Sequence, residues 1–249
     1  MWPRMADRPS IINLLSGPRN VSTALMYSFA QRPDCSVVDE PLYGHYLNCT
    51  KAPQPHRDDL LRILDTDAPR IVEASILNPQ AGRPLHFVKN MAHHLIEMDL
   101  EWLEDSRIRS VFLIRDPRQM LPSLVNQIKE PTPRDAAYKS QAMGFKKLSE
   151  LGQSPLVIDS KELLLNPEAI LKQLCEQLDI PFEAAMLKWE AGPRKEDGAW
   201  APYWYHNVHK SSGFAEYTEK TEPFPEALKP LLAECLPHYD SLLSHSLTS

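Results

Sequence analysis

The chain has 249 residues, 43% of them apolar, enough to bury a core as one large domain or two small ones without covalent staples. Its 27 Lys and Arg against 33 Asp and Glu give a formal charge of −6 with no long basic run. That balance argues against a nucleic-acid partner but leaves room for a locally positive site on an anionic small molecule. Cys35, Cys49, Cys175 and Cys235 form no CxxC pair, so neither a zinc site nor a disulfide framework is expected, and the thiols read as isolated in a reducing compartment. The opening MWPRMADRPS lacks an apolar leader core, and no apolar run approaches the roughly 18 residues of a membrane span. A cytoplasmic location without a membrane partner is expected.

In chain order, SIINLL at 10–15 reads as a strand closed by Gly17-Pro18, and STALMYSFAQ at 22–31 has helical spacing, with Leu25, Met26 and Phe29 on one face. CSVVDEP at 35–41 reads as a second strand ending in acidic residues, and YGHYLNCTKAPQP after it as loop. Helices are expected over 57–65 and 93–104, and strands over 83–90 and 108–117. A helix containing MLPSLVNQI follows Pro117, then a strand over 155–160 and a Leu-rich helix over 165–180. The less regular stretch 189–220, with Trp189, Trp200 and Trp204, reads as a lid or side wall of the same domain, so 1–249 is taken as one unit.

Short apolar strands alternating with helices predict an α/β fold of three α/β/α layers around a central, mostly parallel sheet. Ligands of such a sheet bind outside the carboxyl ends of its strands. The charged strand ends are Gly17 to Thr23, Asp39-Glu40, Lys89 to His94 and Arg115-Asp116.

LLSGPRNVSTAL at 14–25 has the strand, turn and helix start of a phosphate-binding loop. A GxxxxGK[ST] loop counted from Gly17 would end on a lysine and a metal-holding hydroxyl; here Ser22, Thr23 and Ala24 take the last positions. No metal is expected. What remains is Arg19 in the turn, with Ser22 and Thr23 at a helix N-terminus, an anion cradle by its free N–H groups and dipole. The competing reading is an ordinary capped helix beside a solvent-facing arginine. In IRDPRQMLPS, Arg115 ends a strand and Ser123 follows eight residues later, so a planar fork and a single donor can converge on one phosphate. The competing reading pairs Arg115 with Asp116 or Glu40. Two phosphate sites without the loop lysine point to a nucleotide phosphorylated at both ends.

On these two motifs the chain resembles the sulfotransferases that use 3′-phosphoadenosine 5′-phosphosulfate (PAPS), a family similar in fold to nucleoside kinases. The family motif resembling P-K-S-G-T-T stands here as Pro18, Arg19, Asn20, Val21, Ser22 and Thr23. The resemblance implies PAPS as co-substrate, with Arg19 in the role of the family lysine at the transferring sulfonate. It implies Ser22 and Thr23 on the 5′-phosphate and Arg115 and Ser123 on the 3′-phosphate. HKSSGF at 209–214 lies where the family closes a basic, glycine-containing segment over the 3′-phosphate and adenine, which implies Lys210, Ser211 and Gly213 as further contacts. Val21 departs from a family glycine, and a β-branched residue at positive φ is strained. Arg19 presents a larger, more directional group than lysine. These departures are those of divergent, bacterial-type members.

Transfer to the hydroxyl or amine of a small acceptor needs a base. Glu40, His93 and His94 are the named candidates, and another group is open: Glu40 because bacterial relatives resemble the chain in a Glu-Pro pair, the histidines because the family has a K-x-H segment. Here the second position after Lys89 is Met91. Lys89 either neutralises the leaving phosphate or is a surface lysine. Tyr43, His45 and Tyr46 are candidates for acceptor contacts; Trp200, Tyr203, Trp204 and Tyr205 line an acceptor pocket or seal the core. The other classes kept open are a small-molecule or nucleoside kinase and a non-catalytic nucleotide-binding protein. An oligomer is possible but not specified.

Overall fold

Apolar runs without polar alternation can be buried on both faces, and such runs form the centre of this molecule. The computed structural model describes residues 8–52, 54–79 and 82–248. Strands β1 (Ser10–Ser16), β2 (Cys35–Asp39), β3 (Leu85–Met91), β4 (Ile108–Ile114) and β5 (Leu156–Asp159) make an all-parallel sheet in the order β2-β3-β1-β4-β5. The helices are α1 (Ser22–Ala30), α2 (Tyr43–Thr50), α3 (Arg57–Leu61), α4 (Ala68–Ile71), α5 (Pro117–Leu124) and α6 (Pro133–Ala136). They continue with α7 (Tyr138–Glu150), α8 (Ser160–Leu165), α9 (Pro167–Gln177), α10 (Ala201–Trp204) and α11 (Lys229–Leu243).

The two-residue period of the strands divides the core. Ile12, Leu14, Phe87, Val111 and Leu113 face α1 and α9 through Leu25, Phe29, Ile170 and Leu174. Leu15, Phe112, Ile114 and Val157 face α5, α7 and α11 through Met120, Leu121, Leu148 and Tyr239. Phe29 stacks on Phe87 at 4.5 Å between ring centroids, a pairing that adds about 0.5–1.5 kcal/mol beyond burial. The expected three-layer α/β/α architecture is therefore the observed one. β1 lies centrally, with Ser16 opposite Met91 on one side and Leu113 on the other. Its end opens where chain connections diverge to the two halves of the sheet, the usual place for a ligand crevice.

Some expected elements differ. Tyr43–Thr50, read as loop, is helix α2: Tyr43, Tyr46 and Leu47 fall at helical spacing and are buried, and Lys51 at φ 53° ends the helix. The helix expected over 93–104 is replaced by 3₁₀ turns at Ala92–His94 and Glu101–Glu104, with Glu97 at φ 52° interrupting the path between them. The helix expected over 57–65 stops after Leu61, and the one over 165–180 begins at Pro167, where the Asn166 side chain accepts from the Ala169 N–H at 3.3 Å. The first residues of the N-terminal stretch, 1–7, lie outside the described residues. Among those described, no helix is long and apolar enough to cross a membrane. In the 189–220 stretch, Trp189 joins the α1 side of the core, while Trp200 and Tyr205 pack with Tyr43 and Tyr46 in a small cluster at the strand ends.

Candidate active site

A cavity of about 420 Å³ opens at the carboxyl ends of the strands. Its floor is the turn after β1. Arg19 (φ 56°) and Val21 (φ 58°) are both left-handed, the conformation anticipated as strained for Val21, and no side chain caps the start of α1. The first N–H groups of α1 therefore face the cavity without a capping partner, beside Ser22 and Thr23. Asn20 is different from its neighbours. Its side chain is buried and donates to the Leu113 carbonyl at 2.8 Å, and its own carbonyl accepts from the Ser160 hydroxyl at 3.1 Å. Asn20 thus pins the turn to β4, and Gln141 reinforces the same edge by donating to the Leu15 and Leu113 carbonyls.

At one end of the cavity two arginines meet. Arg115 donates to the Arg19 carbonyl at 2.7 Å, and Arg19 Nε donates to the Ser123 hydroxyl at 3.1 Å. Neither forms an ion pair with a carboxylate among the described residues. Asp116 accepts from the Arg118 N–H at 2.7 Å as the cap of α5, so the pairing with Asp116 or Glu40 does not occur. Burial, and then the neighbouring Arg115, lowers the pKa of Arg19; burial lowers that of Arg115. Lys220 joins them: burial, followed by Arg115, depresses it, and its backbone N–H donates to Gln119 Oε1 at 3.0 Å. Arg19, Arg115 and Lys220 thus lie within mutual electrostatic range, Arg19 and Arg115 without an ion-paired carboxylate among the described residues, and the end of the cavity is locally positive. Lys210 is exposed and is not among the residues lining the cavity, whereas Ser211 and Gly213 are. The sequence reading missed Lys220, which has no motif around it.

A carboxylate network borders the same cavity. Lys89, 1% exposed, donates to Asp39 at 2.8 Å, to Glu40, and to the Tyr205 hydroxyl at 2.8 Å. Lys89 is not a surface lysine. Tyr205 in turn donates to Asp39 at 2.7 Å and accepts from Trp200 Nε1 at 3.2 Å, and the Gly198 N–H also donates to Asp39. These bonds tie the 198–205 stretch to the ends of β2 and β3. Burial raises the pKa of Glu40, opposed by the attraction of Lys89 and aided by Asp39. Burial alone would lower Lys89, but the two carboxylates outweigh it and hold the ammonium well above its ordinary range.

His93 and His94 also line the cavity. Burial pushes His93 down to about 4, and burial with the neighbouring His93 and Lys89 drives His94 well below its ordinary value. His94 stacks on Tyr43 and Tyr46 at 5.1 and 4.7 Å and lies 4.0 Å from Glu40 Oε2. Both imidazoles are neutral near physiological pH and too weakly basic to be well matched to proton abstraction there. Glu40, by contrast, is raised by burial and keeps Lys89 as its counter-ion. No group of three or more His, Cys, Asp or Glu suited to a metal ion occurs among the described residues.

Comparison with known proteins identifies the family and the fold. The family profile described as "Sulfotransferase domain" matches residues 10–246. The chain is 39% identical over 236 residues to the "Branched-chain-amino-acid aminotransferase-like protein 2" of Arabidopsis thaliana, covering 94% of this chain and 42% of that protein. It is 38% identical to protein 1 of the same name, again over 42% of its length, so the chain spans about two fifths of the curated relatives it matches. Among solved structures, the "Sulfotransferase Domain from the Curacin Biosynthetic Pathway" superposes with a TM-score of 0.52 at 20% identity, covering 92% of this chain and 98% of that one. At that identity the likeness concerns the fold.

Proposed function

This chain belongs to the sulfotransferase domain family, and we propose that it is an active PAPS-dependent enzyme that sulfonates a hydroxyl or amine of a small acceptor. The observation that carries the reading is the meeting, around one cavity, of unpaired Arg19 and Arg115 with an uncapped helix start and a buried carboxylate held by Lys89. The residues fit a nucleotide bearing two phosphate groups. The N–H groups of α1 with Ser22 and Thr23 would hold the 5′-phosphate, and Arg115, Ser123 and Lys220 the 3′-phosphate. PAPS supplies the sulfonyl group.

Glu40 accepts the proton of the acceptor as the new bond to sulfur forms. The bond between sulfur and the 5′-phosphate oxygen breaks, and that oxygen keeps the electron pair. Arg19 lies at the cradle to meet the charge that develops there, the electrostatic contribution on which such a transfer depends. Lys89 keeps the Glu40 carboxylate oriented and accessible to its proton. The aromatic wall of Tyr43, Trp200 and Tyr205 limits water in the site.

The kinase reading loses support because Thr23 and Ala24 occupy the places of a phosphate-binding lysine and a metal-binding hydroxyl. The test is PAP release from PAPS across an acceptor panel, run beside ATP consumption. Acceptor-dependent PAP release without ATP loss supports the proposal. ATP consumption, or nucleotide binding with no sulfonyl loss across the panel, refutes it.

A further inference from the structure

Asp135 has no part in the reaction just described, yet it lines the same cavity and is only 7% exposed. Its Oδ2 accepts from the N–H and hydroxyl of Thr132 at 2.9 and 2.6 Å, forming the capping box that starts α6. Among the described residues its Oδ1 has no hydrogen-bond partner, and no Lys, Arg or His forms an ion pair with the carboxylate. Oδ1 is not sealed from solvent, and the residue lines the cavity, so a ligand bound there can take the place of water at this oxygen.

The surroundings say what kind of ligand. Asp135 acts electrostatically on Tyr46 and His93, which meet edge to face at 4.9 Å; Arg134 opposes it at both, but that side chain is exposed and does not line the cavity. His93 is neutral there and offers no charge. The cations that line the cavity already have partners: Lys89 binds Asp39, Glu40 and Tyr205, while Arg19 and Arg115 form the phosphate end. An acceptor bearing a carboxylate would meet Asp135 and Glu40 with no cation reserved for it. A cationic nitrogen would meet a buried carboxylate beside aromatic faces, the setting that favours ammonium groups. The cavity must also admit the nucleotide, so its volume of about 420 Å³ leaves space only for a compact second ligand.

We propose that Asp135 is the ammonium subsite of the acceptor pocket and that the acceptor is a compact amino alcohol, its cationic nitrogen against Asp135 and Tyr46 and its hydroxyl toward Glu40. The inference rests on the sulfotransferase reading above. Calorimetry with the full chain first establishes saturation by PAP. Choline is then titrated beside its neutral carbon isostere, ethanolamine beside propanol, and hydroxypropionate as the anion.

Each cation is expected to bind at least about tenfold more tightly than its neutral partner. Asp135→Asn retains an oxygen for Thr132 and should reduce that ratio below about threefold while leaving the neutral alcohols unchanged. Equal affinities in the wild type, preference for hydroxypropionate, no binding of either amino alcohol, or an equal weakening of both partners by Asp135→Asn would overturn the proposal. The wild-type comparison decides even if the variant fails to fold. Absence of PAP binding removes the parent reading and this one with it; PAP binding without charge preference removes only this one.

Discussion

Replacing Lys89 by methionine tests the carboxylate network most severely. The side chain is 1% exposed and donates to Asp39, Glu40 and Tyr205, so methionine fills the volume but leaves two buried carboxylates facing each other without a cation. Removing one partner from a buried ion pair costs about 3–5 kcal/mol. The loss should depend on pH. Glu40 already has a folded-state pKa above its ordinary value because of burial, and Lys89 is what opposes that rise. Without Lys89 the pKa rises further. A carboxyl whose folded pKa is raised is stable as the neutral acid, and it loses stability as pH rises from its unfolded value through its folded one.

The penalty of Lys89→Met, measured by urea denaturation of both proteins, should therefore be largest near pH 7. It should shrink by about 1–2 kcal/mol toward pH 4, as Glu40 takes up its proton, each unit of pKa difference corresponding to about 1.4 kcal/mol. A penalty below about 1 kcal/mol, or one independent of pH, would refute the reasoning.

Other substitutions probe the remaining parts. Glu40→Gln keeps the shape of the side chain and removes the base, so steady-state kinetics should show kcat lower by about 10²–10⁴ with PAP affinity unchanged. Because burial raises Glu40, the acidic limb of kcat/KM in the wild type should lie above the ordinary glutamate value and be absent in the variant. Val21→Gly relieves a β-branched residue at φ 58°, worth about 1–3 kcal/mol, but loses methyl groups packed on the α1 side of the core and adds backbone freedom. These terms nearly cancel, so thermal denaturation should show a change within about 1 kcal/mol, whereas a loss above about 2 kcal/mol would show that the left-handed turn stores no strain.

The parts legible in the sequence are those whose signals are local. β1 and β4 are apolar runs closed by Gly17-Pro18 and Asp116-Pro117, and the turn between β1 and α1 keeps the spacing of an anion cradle even with Arg19 and Val21 in unusual places. Helix α2 escaped notice because Gly44 and the prolines after it resemble loop. Gly44 in fact permits close packing, since a Cβ there would lie 2.2 Å from the Asp65 carbonyl oxygen. The chemistry that depends on distant contacts was not legible. The backbone N–H of Lys220 is held by Gln119 while its ammonium comes within electrostatic range of Arg115 and Arg19, and Tyr205 joins Asp39 across 166 positions of sequence. Adjacent His93 and His94 read as candidate bases from their residue type, but burial, a property of the folded state, removes their basicity.

The two-phosphate site is tested most directly by calorimetric titration of PAP, with ADP as control, into the wild type and Arg115→Ala. Wild type is expected to prefer PAP, because ADP lacks the 3′-phosphate assigned to Arg115, Ser123 and Lys220. Loss of one charge-assisted contact should cost about 1.5–3 kcal/mol, so PAP affinity should fall roughly ten- to more than a hundredfold in the variant while ADP binding stays nearly constant. PAP binding no tighter than ADP, or an equal fall for both nucleotides, would contradict the assignment.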